Sequence, residues 1–174
     1  MSYKSELTDA MTALGNDPLT CFLGYGVSNG KAGGTLAGVS SSQLIETPVA
    51  ENLMTGLAIG LALEGRRPVV YFERMDFMLC AADAIVNHLD KMAVMSAGEF
   101  SPGVILRCVV GNTKKPLFTG ETHTQDFTDA FSKLLKMPVM TLNHEAHVGS
   151  IYAQAQEAQR SGGSTMIIEY KDKL

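Results

Sequence analysis

Five short apolar runs, 19–24, 66–72, 104–110, 139–142 and 165–170, alternate along this chain with five stretches of helical periodicity. The helical stretches are expected at Tyr3 to Leu14, Thr47 to Gly65, Asp76 to Ala97, Gln125 to Leu135 and Ala146 to Arg160. Helix and strand joined by links as short as Arg66-Arg67-Pro68 build an α/β layer. The alternation predicts an α/β fold with a mostly parallel sheet and helices on both faces. In such sheets functional groups gather outside the carboxyl ends of the strands. Three segments are therefore expected to meet: the entry to the 47–65 helix, the turn at 72–77 and the loop at 111–125.

The 47–65 stretch, TPVAENLMTGLAIGLALEG, is the most unusual of these. Pro48 suits a first helical turn and Gly65 supplies a stop. Nearly every face between them is apolar or small, which predicts a helix packed on all sides. Gly56 and Gly60 each cost about 1 kcal/mol relative to Ala in a helix interior. Their presence implies that another helix or a ligand comes close to the backbone. Glu51 stands within this apolar surface. A carboxylate suits a helix N-terminus, but an acid shielded from water needs a partner or a held proton.

At 174 residues and 45% hydrophobic content the chain reads as one domain with a proper core. A net charge of −4, without clustered Lys or Arg, gives no basic surface for nucleic acid. No apolar run reaches the length of a membrane span, and MSYKSELTDAM has no secretory hydrophobic region. The expectation is a soluble, cytoplasmic chain without membrane contact. Cys21, Cys80 and Cys108 are widely spaced in apolar runs, so neither a disulfide framework nor a metal cluster is implied, and buried thiols are expected. The glycine-rich GYGVSNGKAGGTLAG lacks the GxxxxGK[ST] spacing of a phosphate loop and is expected to be mobile or covered by a partner.

The run from Glu46 to Phe100 carries TPVAE, RPVVYF, MDF, IVN and MSAG in order, and HTQ follows at 123–125. Together these resemble the pyrimidine-binding (Pyr) domain of transketolase-like thiamine diphosphate enzymes. They are most similar to the beta subunit of the 2-oxoacid dehydrogenase first component. The resemblance covers nearly the whole chain and implies a single domain over 1–174 with the thiamine diphosphate-binding fold. Carried over by position, Glu51 matches the glutamate that bonds the cofactor aminopyrimidine and trades a proton with its ring nitrogen. Phe77 matches the aromatic residue that stacks on that ring. His123 matches the loop histidine that faces substrate and donates to a carbonyl or relays a proton.

Glu73 and Arg74 stand where the family commonly has apolar residues bordering the cofactor. They either pair with each other or select a polar substrate, and Glu73 is counted among the cofactor-binding residues. Cys108-Val109-Val110 departs from the Gly-Pro pattern that follows the family's matching arginine, here Arg107. Nothing in the sequence resembles the GDG...N stretch that holds magnesium and diphosphate, or the family's C-terminal domain. The resemblance thus implies thiamine diphosphate with Mg2+ held by a separate diphosphate-binding subunit, in an α2β2 assembly acting on a 2-oxo acid or ketose. The expected reaction is ketol or acyl transfer, or 2-oxo acid decarboxylation. The alternatives are a minimal 2-oxoacid dehydrogenase beta subunit and a non-catalytic regulatory subunit that retains the fold.

Overall fold

The computed structural model describes residues 2–116 and 120–173. Its centre is built from β1 (Thr20–Gly24), β2 (Leu44–Glu46), β3 (Arg67–Phe72), β4 (Ile105–Val110), β5 (Val139–Thr141) and β6 (Thr165–Tyr170). All six pair in parallel, in the spatial order β2-β1-β3-β4-β6-β5. The helices are α1 (Tyr3–Gly15), α2 (Glu51–Leu63), α3 (Met92–Met95), α4 (Thr128–Leu134) and α5 (Val148–Arg160). The α/β architecture expected from the alternation is the one observed.

Successive residues of a strand point to opposite sides, and both sides of this sheet are apolar. Phe22, Val69, Tyr71, Ile105 and Ile167 form one core with residues of α1 and α5. Leu23, Val70, Phe72, Leu106 and Ile168 form the other with residues of α2, α4 and the 75–89 segment. On the first-core side of the sheet, the side of Ile105 and Ile167, Arg107 of β4 and Glu169 of β6 make a bidentate pair, Nε to Oε1 at 2.6 Å and Nη2 to Oε2 at 3.0 Å. Tyr152 also donates to Glu169, and the Arg107 guanidinium lies 5.1 Å from the ring centre of Tyr71.

Several elements differ from expectation, each for a local reason. β2 was not expected: it is only three residues long, sits at the sheet edge, and follows a stretch rich in Gly and Ser. The glycine-rich segment itself is a succession of backbone-bonded turns, with Val27, Leu36 and Val39 buried in the first core. Helix α2 begins at Glu51 rather than Thr47, and Pro48 lies outside it. The Thr47 N–H donates to the Gly24 carbonyl, which keeps the chain extended beyond β2.

The helix expected over 76–97 is broken into a 3-10 helix at Met75–Ala81, a π-helical turn at Ala84–Leu89, and α3. The break falls at Asp90, whose carboxylate accepts the N–H groups of Lys136 and Met137 at 2.9 and 2.7 Å. Helix α4 starts three residues later than expected, after Asp126 accepts the Thr128 N–H. Cys21 and Cys108 are buried, but Cys80 is exposed, which corrects the expectation of three buried thiols. Among the described residues no helix is long and apolar enough to cross a membrane. Residues 117–119, part of the polar loop expected at 113–124, lie outside the described residues.

Candidate functional site

The strand order contains a switch point. From β1 the chain crosses to β2 on one side, then returns to enter β3 on the other side of β1. Open α/β sheets form a crevice at the carboxyl ends of strands that part in this way. Gly24 closes the floor of that crevice. Its φ is +149°, and a Cβ there would stand 2.5 Å from the Tyr71 carbonyl oxygen, so only glycine allows the two strand ends to approach so closely.

Two adjoining cavities occupy the crevice. The smaller, about 100 Å³, is walled mainly by Val49, Met54, Phe72 and Phe77, with Glu51 at its edge. The larger, about 340 Å³, lies under the glycine-rich turns and is bordered by Asn29 and Glu46. Tyr25, Tyr71 and Glu73 line both. Glu46 fixes the roof: its two carboxylate oxygens accept the N–H groups of Gly26 and Ser28, at 2.5 and 2.6 Å. Burial, opposed by the nearby Arg107, pushes the Tyr71 phenol up to about 12, so its hydroxyl stays protonated at neutral pH.

Glu51 is half-buried in the first turn of α2 and opens into the smaller cavity. Its helix is not packed on every side. Met54, Thr55, Ala58 and Ile59 are buried, while Leu53 and Leu57 remain 53% and 37% exposed on the opposite face. Gly56 and Gly60 lie on that same exposed face, and a Cβ at either would meet nothing within 4 Å. The close neighbour expected at these glycines therefore does not come from the described residues of this chain.

Phe77 lies in the 3-10 helix after β3 and walls the smaller cavity. His123 reaches it from the loop after β4, its ring edge-on to Phe77 at 5.2 Å between centres. His123 is not among the residues that line either cavity, but its ring is in contact with Phe77, which does. The neighbouring residues join the two segments. Gln125 donates to Oδ1 of Asp76 through Nε2 at 2.8 Å and through its backbone N–H at 3.3 Å. The other oxygen of this buried carboxylate has no partner among the described residues.

Glu73 has an asymmetric setting. Its Oε1 faces both Arg74 Nη1 at 3.3 Å and Lys171 Nζ at 3.5 Å. Arg74 also donates to the Glu73 backbone carbonyl at 2.6 Å. Burial, and then the charge of Arg74, hold the Lys171 ammonium below the usual lysine range, with Glu73 opposing. The Glu73 and Arg74 side chains thus pair, as one of the two sequence readings has it, with Lys171 as a third member.

The three segments expected at the carboxyl ends do converge. Tyr25, Met54 and Tyr71 were not anticipated as lining residues, and Tyr25 carried no signal beyond its position after β1. Asp76 and Gln125 were present in the MDF and HTQ motifs without an assigned task. Lys171 had no legible signal. Among the described residues, no three His, Cys, Asp or Glu side chains gather closely enough to hold a metal ion.

Residues 1–171 match the family model described as transketolase, pyrimidine binding domain. Among curated proteins, the chain is 30% identical over 123 residues to the chloroplastic pyruvate dehydrogenase E1 component subunit beta-4 of Oryza sativa subsp. japonica. That match covers 68% of this chain and 30% of the rice protein. It is 35% identical over 86 residues to the mitochondrial pyruvate dehydrogenase E1 component subunit beta of Ascaris suum, covering 49% of this chain and 23% of that protein. The chain therefore spans less than a third of the curated relatives it matches. Among solved structures, a split gene transketolase, in an inactive β4 tetramer, superposes with a TM-score of 0.75 at 17% identity. The superposition covers 98% of this chain and 51% of that one, and shows the shared fold.

Proposed function

The chain belongs to the transketolase pyrimidine-binding domain family, whose enzymes depend on thiamine diphosphate, and we propose that it supplies the cofactor-activating half of a two-part enzyme. The observation that carries this reading is the position of Glu51. A carboxyl group opens from the first turn of a helix into a small cavity whose other walls are largely apolar and aromatic.

The residues present fit the pyrimidine end of the cofactor. Phe77 offers an aromatic ring for stacking, the buried Met54 and Phe72 supply apolar wall, and Glu51, on the helix that opens into the cavity, is the group assigned to exchange a proton with a ring nitrogen. Bound thiamine diphosphate supplies a carbon nucleophile for attack on a carbonyl. His123, backed against Phe77, is assigned to donate to a substrate carbonyl or carboxylate. The diphosphate and its Mg2+ are assigned to a separate subunit. That subunit would cover the exposed face of α2, where Leu53, Gly56, Leu57 and Gly60 lie open, in an α2β2 arrangement. The reaction is ketol or acyl transfer, or decarboxylation, on a ketose or 2-oxo acid.

The test is to isolate the chain from its host with its tightly bound partner, add thiamine diphosphate and magnesium, and compare wild type with Glu51→Gln. Turnover is expected to fall at least about a hundredfold, the usual scale for a lost acid–base group. Equal turnover in the two assemblies, or an assembly that binds no thiamine diphosphate, would remove the reading.

A further inference from the structure

We propose that the amino ends of the strands carry an oxyanion site, built by Arg66, Arg67 and Arg160, that takes inorganic phosphate or the phosphoryl end of a small metabolite. It stands at the opposite end of β3 from the crevice beside Glu51, roughly 17 Å away along the strand, and does not depend on the thiamine diphosphate reading.

A cavity of about 190 Å³ between the ends of α2 and α5 carries the inference. Ser101, Gln159 and the three arginines form its polar side-chain wall, and no acidic residue lines it. Two glycines fix the wall. Gly162 has a φ of +79°, and a Cβ there would stand 2.7 Å from the Ser101 carbonyl oxygen. A Cβ at Gly103 would stand 2.4 Å from the Gln159 carbonyl oxygen. The 101–103 and 159–162 segments are thus held backbone to backbone. Free carbonyls at a helix C-terminus oppose an anion, but both helix ends here are closed. Arg66 and Gly65 donate their N–H groups to the Leu61 and Ala62 carbonyls at 2.9 and 3.1 Å. Gly163 and Gly162 do the same to Ala158 and Gln159, at 2.8 and 3.0 Å. The Gln159 amide Nε2 is likewise taken, by the Pro68 and Gly103 carbonyls at 2.8 and 3.2 Å. The arginines are left to set the local charge.

That charge is in excess. Asp17 is the one well-shielded carboxylate among the three: it pairs with Arg67, and its Oδ2 lies 3.8 Å from Arg160 Nη2. Glu157 meets Arg160 Nη1 at 3.2 Å but is 73% exposed, and a pair so wetted is weak. Glu64, at the end of α2, is exposed and makes no ion pair with them. Arg66 has no carboxylate partner among the described residues. Its neighbour is the Cys21 thiol, which burial pushes up against the opposing pull of Arg66, so that it is neutral at pH 7. Guanidinium groups stay charged, and their planar forks match the oxygens of phosphate. A cationic ligand is repelled by them. A carboxylate is attracted but has only two oxygens to share among several donors. The volume lies below the usual range for whole drug-sized ligands, so the cavity takes a phosphoryl group and little more.

The test is calorimetric titration of the full chain, without cofactor and at fixed ionic strength, with inorganic phosphate, glycerol 3-phosphate and acetate. Nε–Hε NMR signals of the arginines are followed in parallel. Phosphate is expected to bind at one site per chain with a Kd of about 1 mM or tighter. It should shift the signals of Arg66, Arg67 and Arg160, and acetate should bind about tenfold more weakly or less. Arg66→Gln and Arg160→Gln are each expected to weaken phosphate binding about tenfold or more, the scale of a lost charge-assisted bond. Lys133→Gln, an exposed lysine on α4, should leave it unchanged. Phosphate should raise the thermal midpoint of wild type and not that of Arg160→Gln.

Arg160 is 43% exposed at the end of α5, so its variant is expected to fold as wild type and decides the matter alone if Arg66→Gln does not fold. Absence of saturable phosphate binding on that scale overturns the site. So does acetate that binds as tightly as phosphate, or an Arg160→Gln chain that binds phosphate like wild type. Tighter binding of glycerol 3-phosphate than of phosphate upholds the site and assigns it to a phosphorylated metabolite. Equal or weaker binding of the ester upholds it for the free ion.

Discussion

The imidazole of His123 stands edge-on to the ring of Phe77, with centres 5.2 Å apart and planes at 88°. Such aromatic pairs contribute about 0.5–1.5 kcal/mol beyond burial alone. Here the pair joins segments from the ends of two strands, β3 and β4. The Asp76–Gln125 bonds and the tight approach of Gly111 to the His123 carbonyl reinforce the same junction. The stacking candidate and the candidate substrate-facing histidine are therefore parts of one unit.

That junction leaves no room at Gly111. A Cβ there would stand 1.7 Å from the His123 carbonyl oxygen, a backbone atom that moves only with its loop. Gly111→Ala is expected to displace His123 from Phe77 and cost about 1–3 kcal/mol, as overpacking does. Denaturant unfolding gives the cost, and the ring-current shifts of the His123 protons report the displacement. Unchanged shifts with unchanged stability would show that the loop adapts freely.

The open face of α2 makes an opposite pair of effects in one substitution. A Cβ at Gly56 or Gly60 meets nothing within 4 Å among the described residues, so alanine should stabilise the chain alone by about 0.5–1 kcal/mol. If a partner helix lies against that face, the same methyl weakens association by about tenfold or more. Thermal unfolding of the purified chain and sedimentation of the assembly read the two effects. Alanine variants that associate as tightly as wild type would place the partner elsewhere.

Alkaline pH should weaken the fold through Tyr71. Its phenol is raised from 10.0 to about 12 by burial, so the folded chain holds this proton more tightly than the unfolded one. The resulting stability is fully present below pH 10 and is lost as pH rises through about 12, by at most roughly 1.4 kcal/mol for each pH step between those two values. Tyr3 and Tyr152 are raised in the same direction. Tyr71→Phe should therefore remove only its share of the alkaline loss. Urea midpoints at about pH 9 and about pH 11, on either side of the unfolded phenol's value, measure it. An identical decline in wild type and variant would contradict the assignment.

The layer order was legible because strands such as Val69-Val70-Tyr71-Phe72 are buried on both sides and bounded by clear helical periods. Edges were less so. Asp90 and Asp126 redirect the backbone through side-chain bonds to distant or later N–H groups, which periodicity does not register. The same limit applies to the site. Glu51, Phe77 and His123 sit in motifs, and the fold gathers their segments. Lys171 arrives from beyond the last strand to meet Glu73, a contact that exists only once β6 lies beside β4. Gly56 and Gly60 raised the expectation of a close neighbour, and among the described residues none meets them.

The uncovered side of α2 has a bearing on supply as well as on structure. A polypeptide with two uncompensated helix glycines and wetted leucines gains stability only when something lies against them. Copies made in excess would open more often and meet proteases more often than those already joined. Under the two-part reading, a copy left without its other half is the one more exposed to degradation.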